Sequence, residues 1–371
     1  MDEKLKKIIF IVLGGFVLLF IIIILISTKT SKYKPSDFET KIVNETKNYY
    51  ENHKDELPTD NVTYTLTLND LVNKGIIKEL SKMLEKNTTC NGTITIENNN
   101  NYYMYSPKIS CESESETYET KNLKEVLLKN EVTSGKGLYK NNNEYIFKGD
   151  KVNNYLIFDQ ILWRIIKINS DGTIRLIEAE RRTPIVWDNR YNTEIRSSTG
   201  INEYSKNGIN SRIKENLDEI YNNETVLSDK GKGYIKKTNL CIGKRNVEDE
   251  INDGSIECSQ TLNDQYLGLI QINEYIQASL DSNCKKINDL SCGNYNYLAD
   301  LPTTYWSITA SNAKTNYVYQ ITKSVNETSA NSTAMARLVI NISENTSVTG
   351  DGTENNPYAV TGMSKELKKL Y

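Results

Sequence analysis

The chain has 371 residues, which leaves room for two or three folded units. Its 45 Lys and Arg residues nearly balance its 48 Asp and Glu residues, so no large basic field exists to hold a polyanion and we expect no nucleic-acid partner. The chain has a single histidine, His53, which lies in a polar helical stretch. Because catalytic triads and histidine-rich metal centres need more than this one imidazole, histidine-based hydrolase chemistry is not expected. We predict no catalytic residues, no cofactor and no metal.

An uncharged apolar run near the N-terminus has the length of a membrane-spanning helix. It covers residues 8–27, and about 20 apolar residues are enough to cross a hydrocarbon layer of about 30 Å. A cleaved secretory signal has a shorter apolar region and ends in small residues, whereas this run ends Ile26-Ser27-Thr28-Lys29. We therefore predict a cytoplasmic tail at 1–7 and an uncleaved signal anchor at 8–27.

Cysteine usage indicates on which side of the membrane the remainder of the chain lies. Lysines flank the apolar run on both sides, so charge alone does not orient it. An even number of cysteines in local pairs is typical of disulfides formed in an oxidising exterior, with free thiols as the alternative. We predict a single-pass type II protein of the cell membrane, with the bulk of the chain extracellular. The six cysteines are Cys90, Cys111, Cys241, Cys258, Cys284 and Cys292.

One disulfide can be predicted from strand register. The β-prone runs 93–96 and 102–105 flank an Asn-rich turn, which is the pattern of a hairpin. In an antiparallel pair centred on that turn, Cys90 lies opposite Cys111. For the other four cysteines nearest-neighbour closure, Cys241 to Cys258 and Cys284 to Cys292, is the simplest of the pairings left open.

The segment 28–114 is predicted as a small membrane-proximal α+β unit. A capping box at Ser36-Asp37-Phe38-Glu39 begins a helix over about 37–54, and a second short helix ends at Gly75. LNDLVNKGII (68–77) and CNGTITI (90–96) resemble the pilin-like proteins of low-GC Gram-positive bacteria. The chain departs from a processed prepilin because Phe20 stands where that family has Glu, so the resemblance implies the shape of the unit and not assembly into a filament.

A polar linker is predicted at 115–137, a second domain at 138–360 and a C-terminal tail at 361–371. The clearest local structure is a set of strands at 155–158, 161–168 and 173–177, the last two joined by Asp171-Gly172. A helix at 210–221 and strands at 316–321 and 336–342 follow. Many short strands with one or two helices describe a mixed α+β domain.

Several motifs follow one another along this second domain. They are ILWRIIKINSDGT (161–173), YLGLI (266–270), NEYIQA (273–278), YWSITAS (305–311), ARLVINI (336–342) and GDGTENNPY (350–358). In order and spacing they resemble an uncharacterised domain of surface proteins from low-GC Gram-positive bacteria. That family is in turn similar to the C-type-lectin-like fold shared with formylglycine-generating enzymes. The resemblance implies that the Trp306 segment and the strand 336–342 are core strands.

The three tryptophans separate into two core candidates and one surface candidate. Trp163 and Trp306 lie in apolar strand-like runs and are predicted to pack in the core. Trp187 lies among charged residues, so we predict a ligand surface formed by Trp187, Arg182, Asp188 and Arg190.

These observations favour a membrane-anchored bacterial surface protein with an extracellular binding or adhesion domain and no enzymatic activity. Its ligand would be a glycan, a cell-wall polymer or a host-surface protein. One alternative is a cell-envelope enzyme on the formylglycine-generating-enzyme-like fold, which would need Cys284 and Cys292 as metal-holding thiols. The other is a structural pilin-like subunit.

Overall fold

A computed structural model describes residues 32–59, 62–114, 116–180, 183–299 and 303–368. The predicted cytoplasmic tail and signal anchor, 1–27, lie outside these residues. Among the helices that the structure does describe, none has both the length and the apolar character needed to cross a bilayer.

The fold is mixed α+β and contains more strand than helix, and its buried apolar side chains form two separate clusters. The smaller cluster belongs to the N-terminal unit, whose four strands form one sheet in the order β1-β2-β3-β4. Its helices are α1 (Pro35–Glu51), α2 (Leu68–Asn73) and α3 (Leu80–Met83), and its strands are β1 (Thr63–Thr67), β2 (Thr89–Asn99), β3 (Tyr102–Glu112) and β4 (Thr117–Glu119).

Helix α1 covers one face of this sheet. Phe38, Ile42 and Val43 recur at helical spacing and are fully buried, which is the apolar stripe that a helix needs in order to pack on a core. The helix begins at Pro35, a residue favoured in the first turn because its missing N–H would have no intrahelical partner there. The predicted helix over 37–54 forms, two residues longer at its N-terminal end and three shorter at its C-terminal end. The predicted capping box is wrong, because Lys34 is the N-cap residue and no side chain caps the helix.

The β2–β3 hairpin has the predicted register. Cys90 pairs with Cys111, and Asn99 pairs with Tyr102 at the other end. The two turn residues, Asn100 and Asn101, have φ of 52° and 65°, the left-handed conformation that a two-residue hairpin turn requires and that Asn tolerates. The predicted disulfide between Cys90 and Cys111 is confirmed.

The second unit contains a nine-stranded and a six-stranded sheet, and the larger apolar cluster belongs to it. The longest path through the nine-stranded sheet is β13-β21-β9-β8-β7-β23-β22, and through the six-stranded sheet β10-β20-β17-β18-β19. The strands are β5 (Gly137–Asn141), β6 (Glu144–Lys148), β7 (Tyr155–Phe158), β8 (Ile161–Ile168), β9 (Ile174–Glu178), β10 (Pro184–Val186), β11 (Ser205–Lys206), β12 (Ile209–Asn210), β13 (Ile235–Lys236), β14 (Thr238–Cys241), β15 (Lys244–Arg245), β16 (Thr261–Gln265), β17 (Tyr305–Ser311), β18 (Tyr317–Ile321), β19 (Val325–Ser329), β20 (Thr333–Met335), β21 (Val339–Ile342), β22 (Val348–Thr349) and β23 (Tyr358–Val360).

The helices of this unit are short. The predicted helix over 210–221 forms as α5, and Ser211 caps it by accepting a hydrogen bond from the Lys214 backbone N–H. The helices are α4 (Leu123–Leu128), α5 (Arg212–Asn222), α6 (Asp229–Lys232) and α7 (Ile272–Gln277).

Within the described residues 116–137, the predicted linker over 115–137 contains a strand and a helix, which differs from the sequence-based expectation. Strand β4 belongs to the first sheet, and the side chains of Leu123 and Leu127 on α4 are buried in the core of the second unit. These two residues belong to a short apolar patch that the sequence shows within the polar segment, and because they lie one turn apart they need only one helix face to be buried.

The two units meet along the tip of the β2–β3 hairpin and the start of the predicted C-terminal tail. The Tyr234 hydroxyl donates to the Tyr105 carbonyl oxygen at 3.1 Å, and Lys236 pairs with Glu97. The Thr361 hydroxyl, at the start of the predicted tail 361–371, donates to a Glu39 carboxylate oxygen on α1 at 3.1 Å. This part of the predicted tail is thus packed against the first unit.

Candidate functional site

Two disulfides close neighbouring loops in the second unit. Cys241 at the end of β14 is joined to Cys258, and Cys284 is joined to Cys292, so both nearest-neighbour pairings are confirmed. A loop of about 15 residues closed in this way gains roughly 3 kcal/mol, mainly because its unfolded state has less freedom. We name residues 246–256 and 285–295 the stapled-loop surface.

Hydrogen bonds join the two loops to each other. The Asn252 side-chain amide donates to the Lys285 carbonyl oxygen at 2.6 Å, and the Lys286 ammonium pairs with Glu248 at 2.5 Å. Asn288 donates to the same carboxylate at 3.2 Å. The hydrogen bond from Lys286 lowers the pKa of Glu248, so this contact stays ionised at neutral pH.

A fully buried arginine organises the first loop from inside. The Arg245 guanidinium has no exposed surface and forms an ion pair at 3.0 Å with Glu257, which is equally buried. Its other terminal nitrogen donates to three loop oxygens, and these are the Asp249 carbonyl at 2.9 Å, the Ile251 carbonyl at 2.9 Å and the Asn252 side-chain oxygen at 2.6 Å. The guanidinium thus satisfies loop carbonyls that would otherwise point into the protein.

The carboxyl group of Glu257 is held in an unfavourable setting. Burial raises its pKa, and the neighbouring Arg245 charge opposes that rise. Glu257 also accepts from the Asn273 backbone N–H at 3.1 Å, which ties the loop to the start of α7. Removing either charge would leave the other buried and unpaired, so the loop depends on the pair.

The stapled-loop surface presents large apolar side chains to solvent. Ile251 is 57% exposed, Leu290 79% and Tyr295 62%. Tyr295 has φ of 46°, a conformation that is uncommon for a bulky residue and that is found at binding sites where the surrounding structure enforces it. An exposed tyrosine on an ordered loop is the kind of side chain that anchors a binding surface.

A cavity of about 570 Å³ lies beside Tyr295. Asp150, Lys323, Gly293 and Asn294 also line it. A concave site with one aromatic side chain and a few polar groups can hold a small part of a larger ligand, such as one sugar ring or one side chain.

The ligand surface predicted around Trp187 is wrong. Trp187 has no exposed surface, its indole N–H donates to the Ser307 carbonyl oxygen at 3.1 Å, and its ring packs edge-on against Tyr204. Asp188 is also fully buried and accepts from the Arg190 side chain at 2.5 Å. The charged neighbours pair with each other, which leaves the indole free to enter the core.

The structure shows the positions of some of the other residues that the sequence singled out. Trp163 and Trp306 are fully buried, as predicted for core residues. Arg182 lies outside the described residues.

Ile251, Leu290 and Tyr295 escaped the sequence analysis because each lies in a polar loop without periodicity. The cysteine pairs around the two loops were the available signal, since a stapled polar loop is an ordered loop. Within the described ranges, no three His, Cys, Asp or Glu side chains converge as a metal site would require.

Comparisons of the chain with protein-family models, with curated proteins and with solved structures each return no match. The similarities to pilin-like and lectin-like proteins therefore rest on the sequence motifs alone.

Proposed function

We propose that the chain is a membrane-anchored bacterial surface protein whose extracellular part binds a glycan, a cell-wall polymer or a host-surface protein. The apolar run 8–27 supports the single-pass anchor. The three disulfides support an exterior location, because such bonds persist in oxidising surroundings. The type II orientation belongs to the same proposal.

The observation that carries the binding role is the stapled-loop surface. Two disulfide-closed loops lie side by side, and one of them is held by a buried guanidinium. Rigid loops lose little conformational entropy on binding, so their exposed apolar side chains contribute more of their contact energy to affinity.

A C-type-lectin-like fold is the finer proposal for the second unit. The Trp306 strand β17 and the strand β21 are buried along their whole length, as the resemblance implies for core strands. In that fold, long loops carry the ligand contacts on a rigid sheet scaffold, which fits the place of the stapled loops in this chain.

The metal-dependent enzyme is not proposed. That alternative needs Cys284 and Cys292 as thiolates, whereas the two sulfurs are joined to each other in the structure. Among the residues that the structure describes, no contact favours a pilin-like subunit over a binding module.

The first prediction tests the stapled-loop surface directly. The chain from residue 32 onward is applied to arrays of glycans, cell-wall polymers and host-surface proteins. Combined Leu290→Ser and Tyr295→Ala substitutions should weaken the observed binding at least tenfold, because they remove two exposed anchors without touching the core.

Ile209→Ser is the matched control, since Ile209 is 61% exposed but lies on the separate β11–β12 hairpin. It should leave binding unchanged. Absence of binding to every member of the arrays, or an equal loss in the control, would contradict the proposed function.

A further inference from the structure

A second concave site lies between the two units. It is a cavity of about 440 Å³ between helix α1, the tip of the β2–β3 hairpin and helix α6, and we name it the junction groove. Tyrosine rings and lysine side chains form most of its wall. The residues that carry the argument are Lys47, Tyr50, Tyr102, Tyr103, Tyr105 and Lys230.

Lys47 supplies a buried cation at the floor of the groove. It is 4% exposed, and its ammonium has one long hydrogen bond, 3.4 Å to the Gly362 carbonyl oxygen. It also lies 5.7 Å above the Tyr105 ring. It forms no ion pair with any residue that the structure describes, so a buried positive charge is left without a counter-ion.

Of the charged groups that face Lys47, a second lysine makes its charge more costly and a glutamate offsets part of that cost. Lys230 approaches from α6, Glu51 lies one turn further along α1, Tyr105 belongs to the hairpin and the C-terminal segment presents the Gly362 carbonyl. Burial, and secondarily the Lys230 charge, lower the pKa of Lys47 to about 8, while Glu51 opposes the change. A bound anion would supply the missing counter-charge.

Tyrosine hydroxyls supply the polar contacts. Tyr50 contributes only its ring to the wall, because its hydroxyl has almost no accessible surface and cannot reach a ligand in the groove. Tyr103 and Tyr105 line the same cavity, and a phenol can both donate and accept a hydrogen bond, as a sugar hydroxyl does.

The rim of the groove carries an excess of positive charge. Lys54 and Lys230 line it together with Lys47, against Glu51 and Asp229. Glu51 lies 4.0 Å from the Lys230 ammonium, and Asp229 is already 3.4 Å from Lys232 outside the cavity lining. The charge that remains uncompensated is positive and favours an anionic ligand.

We propose that the junction groove binds an acidic saccharide, with the sugar carboxylate on the Lys47 ammonium and the sugar ring against the tyrosine faces. The ring faces offer flat apolar surface and the phenols offer polar edges, a combination that suits a sugar better than a purely apolar ligand. This site is separate from the stapled-loop surface and does not rest on its function.

The second prediction is tested by calorimetric titration of the full chain, purified in detergent, with trigalacturonic acid and with its neutral methyl ester. The acid should bind at least tenfold more tightly than the ester. Lys47→Met should abolish this difference, and the affinity of the unaltered chain for the acid should fall between pH 7 and 9.5 as Lys47 loses its proton.

Lys148→Met is the matched control, because Lys148 is also partly buried above a tyrosine ring, that of Tyr139 at 5.5 Å, but lies far along the chain on β6. It should leave the affinity for the acid unchanged. Leu290→Ser with Tyr295→Ala should also leave it unchanged, which separates this site from the proposed function.

Equal affinity for the acid and the ester would overturn the inference, and so would an equal loss in the Lys148→Met variant. A triglutamate peptide that binds as tightly as trigalacturonic acid would overturn the assignment to saccharides. A melting temperature of the Lys47→Met variant that is equal to or higher than that of the unaltered chain shows that a loss of binding is not a loss of folding.

Discussion

Two buried cations illustrate how differently single residues are accommodated. Arg245 is enclosed by a carboxylate and three further oxygen acceptors, so its charge is compensated in place. Lys47 has one long hydrogen bond and a ring 5.7 Å away. Arg245 therefore stabilises a loop, whereas Lys47 retains an unfavourable energy that a ligand can relieve.

The third prediction concerns the free energy of unfolding, which the buried charge of Lys47 lowers. Its pKa falls from 10.5 in the unfolded chain to about 8, so between those values the unfolded state binds more protons and stability should rise with pH. Below pH 8 the lysine is charged in both states and the full cost, up to about 3 kcal/mol, is present. Lys47→Met should stabilise the protein at pH 7, and the stability of this variant should not increase between pH 8 and 10.

Urea unfolding at pH 7, 8, 9 and 10 measures the difference between the two proteins. Lys41→Met on the same helix is the control, since Lys41 is more exposed and pairs with Glu45. A Lys47→Met variant that is less stable at pH 7, or that keeps the full rise, would show that burial of this charge is not costly.

At the scale of elements, the β2–β3 hairpin shows how a local pattern determines structure. Alternating residues, an Asn-rich turn and two cysteines at equal distances from it agree on one register. The left-handed turn, the disulfide and the strand pairing therefore support the same structure, which is the agreement between levels that makes a fold specific.

The fourth prediction addresses this turn. Asn101 has φ of 65°, so Asn101→Gly should leave stability unchanged or raise it slightly, while Asn101→Val should cost about 1–2 kcal/mol because a β-branched residue resists that conformation. Chemical unfolding of both variants provides the measurement. The control is Asn143→Val, at the residue that follows Asn142 in the β5–β6 turn. This substitution should change stability by less than about 0.5 kcal/mol.

For the whole molecule, the junction between the units is the feature that no single element explains. The hairpin tip packs against α6 and the residues after it, and Gly233 there lies so close that a Cβ atom would stand 2.5 Å from the Tyr103 carbonyl oxygen. Gly233 has φ of −59°, so its role is close approach and not an unusual backbone conformation.

The fifth prediction is that Gly233→Ala loosens the junction. The added methyl group must push the hairpin away from α6, at a cost of about 1–3 kcal/mol, while both cores stay intact. Calorimetry should then show two separated unfolding transitions where the unaltered chain shows one. Gly268→Ala, where the nearest atom is a movable end of the Leu240 side chain, should keep a single transition. A single unshifted transition in Gly233→Ala would contradict a close junction.

Sequence by itself determined the features that depend on near neighbours. The disulfide between Cys90 and Cys111 follows from the register of one hairpin, and the hairpins are set by turn chemistry and alternation over a few residues. The other two disulfides span only 17 and 8 residues, and the sequence offered them as the simplest of several pairings. For the same reason the mixed α+β class could be predicted, because it follows from a count of local patterns.

Only the tertiary structure decided which side chains became buried and which stayed exposed. Trp187 meets Ser307, 120 positions later, and Lys47 meets Gly362, 315 positions later. Such contacts arise from the packing of whole elements, and a residue's own neighbours carry no record of them. The exposed apolar loops and the junction groove were therefore invisible in the sequence, since both are defined by what distant parts of the chain leave uncovered.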